Sequence, residues 1–87
     1  MPTPLISTPE PVPFPWLGDL LIAVRKQQGI TQTELAERIG SHQAAIARWE
    51  GGKYRLAEIE TILTIAHALG LELLVTAVPR KADPLKT

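Results

Sequence analysis

Eighty-seven residues, 45% of them hydrophobic and 21% charged, with a formal net charge of zero, allow one small domain and no more. With no cysteine there is no disulfide or thiolate metal site. No apolar run is long enough to span a bilayer, and prolines stand where a signal peptide needs a charged region, so a soluble cytoplasmic protein with no membrane partner is expected.

Residues 1–15, MPTPLISTPEPVPFP, carry six of the eight prolines. Such a run favours extended polyproline conformation and joins neither a helix nor a central strand. It reads as a proline-rich leader, either without fixed structure or held by a partner. The domain proper is expected over residues 16–78, with residues 79–87 as a polar tail.

The first helix is predicted to start near Pro15 or Trp16 and to stop at Gly29. Leu17, Leu20, Leu21 and Val24 fall at i, i+3, i+4 and i+7, an apolar stripe for the core. Asp19 in the first turn and Arg25 and Lys26 in the last suit the helix dipole.

The stretch from Thr31 to Lys53, TQTELAERIGSHQAAIARWEGGK, organises the rest. Thr31 and Glu34 have the spacing of a reciprocal capping box. Leu35, Ala36 and Ile39 follow on one face, and Gly40 stands where a helix ends in a left-handed residue. Ser41 is expected to cap the next helix at once. Two helices joined so closely must cross steeply, in helix-turn-helix geometry. Ile46 and Trp49 then point inward, and His42, Gln43, Ala44, Ala47 and Arg48 remain outside, a face narrow enough for a DNA major groove. The loop Lys53-Tyr54-Arg55 is placed to touch phosphates.

A further helix is predicted from about Ala57 to Leu69, with Ile59, Ile62, Leu63, Ala66 and Leu69 inward and Gly70 as the stop. Leu71 to Val78 changes to a β-type run closed by Pro79. A lone strand leaves backbone groups unpaired, and the proline-rich leader is a poor ladder partner. Pairing with the same strand of a second subunit across a two-fold axis solves this, giving a homodimer through residues 71–78. The alternative is a fifth short helix.

Charge is unevenly placed. From Arg25 to Arg55 six basic residues (Arg25, Lys26, Arg38, Arg48, Lys53, Arg55) face three acidic ones (Glu34, Glu37, Glu50), a net +3. From Leu56 to Val78 the only charges are Glu58, Glu60 and Glu72, a net −3. The positive charge surrounds the crossed helices, as a nucleic-acid partner requires.

Leu20, Arg25, Gly29, Thr31-Gln32, Glu34-Leu35-Ala36, Ile39-Gly40, Ile46, Trp49-Glu50, Gly52-Lys53 and Ala68-Leu69-Gly70 together resemble the Cro/C1-type (Xre) helix-turn-helix family, from about Leu17 to Leu71. The resemblance implies an all-α, lambda-repressor-like domain of about four helices, here with a C-terminal β-strand pairing between subunits. It implies that Arg25 pairs with Glu50 as a structural tie. It also implies that Gln32 holds a phosphate, that Gln43 reads an adenine edge, and that His42, Ala44 and Arg48 meet bases or phosphate. Lys53, Tyr54 and Arg55 would hold the DNA backbone. Ala45 stands where the family often has a hydroxyl.

A helix followed by a terminal strand resembles the HipB-type antitoxins. That likeness implies a repressor of double-stranded operator DNA that autoregulates its operon and neutralises a HipA-like kinase toxin. A solitary phage-type or housekeeping repressor, and an interaction module that has lost DNA binding, are the alternatives. No catalytic constellation or phosphate-cradling glycine loop is present, and His42 and His67 lie on different helices, so neither enzyme activity, a metal nor a cofactor is expected.

Overall fold

Local signals dictate most of the architecture. The computed structural model describes residues 13–79; the leader up to residue 12 and the tail from residue 80 lie outside the described residues. A 3-10 turn at Phe14–Trp16 leads into α1 (Leu17–Gln27), followed by α2 (Gln32–Ile39), α3 (Gln43–Gly51) and α4 (Ile59–Ala68). Among the described residues there is no strand.

Thr31 and Glu34 form the expected capping box. The Thr31 N–H donates to Glu34 Oε1 at 2.8 Å, and the Glu34 N–H donates to Thr31 Oγ1 at 3.0 Å. At the other end of α2, Gly40 adopts φ +71°. Its N–H and that of Ser41 donate to the carbonyls of Glu37 and Ala36, at 3.3 and 2.8 Å, closing the helix with a Schellman pair. Ser41 therefore does not cap α3. The backbone needs Ser41 to finish α2, and the N-cap falls one residue later at His42, whose side chain makes no capping bond.

Leu21, Val24, Leu35, Ile46 and Ile65 are the largest fully buried side chains, one or two from each helix. Two side chains from the first half of the chain cap α4. Gln28 Nε2 donates to the Leu69 carbonyl at 2.8 Å, and Arg38 Nη1 donates to that of Ala68 at 3.0 Å. They satisfy acceptors that a helix end leaves without intrahelical partners.

The inward face of α4 differs from expectation. Ile62, Ile65, Ala66 and Leu69 are buried, whereas Ile59 is 56% exposed and Leu63 36% exposed. Both sets obey the same i, i+3, i+4, i+7 rule, so periodicity does not choose between them in a helix apolar on most sides. Docking against α2 selects the second.

Beyond Gly70 the chain is neither helix nor strand through Pro79, so the fifth helix does not form. Leu71 is buried and Leu73 half-buried, but Leu74, Val75 and Val78 are 87%, 85% and 73% exposed. Among the described residues the segment meets no ladder partner.

Candidate nucleic-acid interface

The turn between α2 and α3 sets the site. Because Gly40 and Ser41 consume the last carbonyls of α2, α3 begins almost at once, with Gln43 as its first residue. Gln43, Ala44 and Arg48 are exposed, and Ala47 is half-buried beside them, so the outer face of α3 matches the sequence expectation. His42 is exposed just before it. The Arg48 guanidinium lies 5.9 Å from the Trp49 ring centroid, within reach of a cation–π attraction.

A chain of polar groups runs from the interior to this face. Arg25 and Glu50 are both nearly buried and meet in a two-pronged pair. Arg25 Nε donates to Glu50 Oε2 at 2.6 Å, and Nη2 donates to Oε1 at 2.9 Å. Arg25 Nη1 also donates to the Ile30 carbonyl at 2.6 Å, anchoring the entry to α2. This is the tie the resemblance implied, and its value lies in orientation more than in net stability.

Gln32 continues the chain, donating through Nε2 to Glu50 Oε1 at 2.9 Å. Gln43 Nε2 donates in turn to Gln32 Oε1 at 2.7 Å. A carboxylate only accepts, so Glu50 dictates which end of the Gln32 amide faces it, and Gln32 dictates the orientation of Gln43. Gln43 is left with a carbonyl oxygen and one amide hydrogen for a partner outside. That is the pattern an adenine edge complements. Gln32, expected to hold a phosphate with its side chain and the N–H groups at its helix start, has that side chain engaged as the middle link. The N–H groups of Gln32 and Thr33, at the start of α2, have no acceptor among the described residues.

The loop after α3 departs from expectation. Tyr54 is 4% exposed and belongs to the core, so its side chain is withdrawn from any phosphate. Its hydroxyl has no hydrogen-bond partner among the described residues. Burial pushes the hydroxyl pKa well above its usual range, with Glu50 adding to the rise and Arg25 opposing it. The cause is backbone geometry. Lys53 and Tyr54 both have positive φ, 56° and 60°, which turns the chain inward after Gly52. Arg55 is exposed, as a phosphate contact requires.

Lys53 remains accessible but is engaged, its Nζ lying 2.7 Å from Asp19 Oδ1. The sequence pattern assigns Asp19 to the α1 dipole alone, and Lys26 to that dipole and to the general positive charge, with no contact named for either. With Ile22 and Ala23 they line one open hollow, shared with Gln32, Glu50 and Lys53. Their i, i+3, i+4, i+7 spacing, on the side of α1 away from its apolar stripe, was the available signal.

Among the described residues no helix is long and apolar enough to cross a membrane. A family model described as helix-turn-helix matches residues 21–75, more than half of the chain. The chain matches no curated protein and no solved structure.

Proposed function

The chain belongs to the Cro/C1-type helix-turn-helix family of DNA-binding transcription regulators, and from that premise we propose that it is a sequence-specific repressor acting on duplex operator DNA in the cytoplasm. The observation that carries this reading is the exposed Gln43 amide, oriented through Gln32 by a buried carboxylate. Gln43 reads the base edge, Ala44 meets a thymine methyl, and His42 and Arg48 contact bases or phosphate. Arg55, Lys53 and the start of α2 at Gln32 hold the backbone.

Selection from a pool of randomised duplexes tests it directly. The wild-type chain should enrich a defined site, and Gln43→Ala should relax preference at one position of that site by about 1–3 kcal/mol. Arg55→Gln should instead weaken all sequences alike and flatten the salt dependence. Absence of any enriched site would leave only an interaction module.

Dimerisation through residues 71–78 completes the reading, with two copies spanning half-sites about 34 Å apart. Supporting it are the exposed Leu74, Val75 and Val78 on a segment of high β propensity. Val75→Pro removes a ladder donor and should convert the dimer to monomer in sedimentation, whereas an unchanged mass would exclude this interface.

The likeness to HipB-type antitoxins extends the proposal to autoregulation of an operon and neutralisation of a HipA-like kinase, with the leader or the tail as the contact. Loss of that kinase's activity on adding the chain would support it. Failure to bind a HipA-like kinase, or a neighbouring gene that encodes none, would leave a solitary repressor.

A further inference from the structure

The loop after α3 is locked onto the first turn of α1. A Cβ built on Gly18 would lie 1.9 Å from the Lys53 carbonyl oxygen, so the two backbones touch where only glycine fits. With φ +56° at Lys53, this contact brings its side chain beside Asp19, the next residue along α1. Both partners are about half exposed, at 52% and 48%, so the pair opens at little cost. Around it lies the hollow that also holds Lys26 and the Gln32 side chain. Lys26 is exposed and makes no ion pair among the described residues.

Resting on the DNA-binding reading, we infer that this hollow seats a backbone phosphate, that Lys26 is an unassigned contact to it, and that Asp19 occupies Lys53 until the phosphate displaces it. The carboxylate stands in for the phosphate in the unbound protein. Two lysines at the rim give the attraction; Asp19 discounts it. Non-specific affinity is thereby held down, because Lys53 contributes its charge to DNA only where the rest of the interface fits well enough to pull it from Asp19.

The test is a double-mutant cycle read by duplex-DNA titration across a salt series, on the full chain. Asp19→Asn should raise affinity about two- to five-fold at low salt, the range an exposed ion pair is worth. On duplexes lacking the site, where Asp19 still holds Lys53 in the wild type, it should also steepen the salt slope by about one, as expected for one further phosphate neutralised. On a Lys53→Gln background the same change should do nothing. Lys26→Gln should lower affinity for every sequence and flatten the slope by about one.

An equal gain from Asp19→Asn with and without Lys53 would mean a general charge effect and would overturn the inference. So would no gain, or an unaltered slope for Lys26→Gln, while the wild type binds DNA normally. No binding by the wild type to any duplex would instead overturn the DNA reading, and this inference with it. Circular dichroism of Asp19→Asn confirms that the fold is retained.

Discussion

The turn after α2 and the turn after α3 close their helices with the same pair of hydrogen bonds. After α2 the donors are Gly40 and Ser41; after α3 the Lys53 N–H reaches the Glu50 carbonyl at 2.9 Å and the Tyr54 N–H that of Trp49 at 2.8 Å. The residue in the left-handed conformation is glycine in the first turn and Lys53, followed by Tyr54, in the second. A bulky residue in that region costs about 1–2 kcal/mol, although two glycines stand immediately before it. The first turn is therefore a local solution. The second is imposed by distant structure, namely the Gly18 contact and the burial of Tyr54.

The sharpest break in this comparison is Gly18→Ala. Its methyl would meet the Lys53 carbonyl oxygen, which is backbone and has no rotamer to yield. We expect a loss of about 3 kcal/mol in denaturant unfolding, at the upper end of overpacking costs. Little loss would mean that the loop is free to move off α1.

Gly40→Ala tests the local turn. Nothing lies near the added methyl, so the cost is conformational alone, about 1–2 kcal/mol at φ +71°. It should be smaller than that of Gly18→Ala.

Two substitutions at one position separate strain from charge. Lys53→Gly and Lys53→Ala both lose the Asp19 pair, but only glycine relieves the left-handed backbone. The glycine variant should be the more stable by about 1 kcal/mol in thermal or denaturant melts. Equal stability would deny that Lys53 is strained.

Tyr54→Phe should have the smallest effect at neutral pH, within about 1 kcal/mol of wild type, because the hydroxyl it removes has no partner among the described residues. Alkaline pH separates the two proteins. The folded pKa of Tyr54 is raised above the ordinary value of 10.0, so the folded state holds the phenol proton more tightly than the unfolded chain does. Wild-type stability is unaffected on this account below pH 10.0 and falls above it, by up to about 1.4 kcal/mol per pH unit. Tyr54→Phe should show a shallower decline in melts from pH 9 to 11. Coincident curves would place the phenol in water.

What the sequence made legible follows the same division. The capping box, Gly40 and the apolar stripe of α1 are signals contained within a few residues, and they located α1, α2 and the outer face of α3. The direction of Tyr54 was not legible, because a tyrosine between Lys53 and Arg55 looks like part of a basic surface until Gly18 draws the loop inward. The face of α4 was not legible either, since Ile59, Ile62, Leu63, Ile65, Ala66 and Leu69 suit two overlapping stripes. Only Gln28 and Arg38 reaching its C-terminal end, together with packing on α2, decide between them. The Gln32–Gln43 bond joins residues on two helices, and its donor is set by Glu50, which no local pattern reveals.

The line of contacts from Arg25 to Gln43 has a consequence for recognition. A surface glutamine ordinarily samples many rotamers and both senses of its amide, and it loses that freedom on meeting its target. Here the choice is made when the chain folds, so on the proposed reading little remains to be lost at the operator. Damage deep inside, at Arg25, would then surface as blurred base choice, in a protein whose outer face had not changed by a single residue.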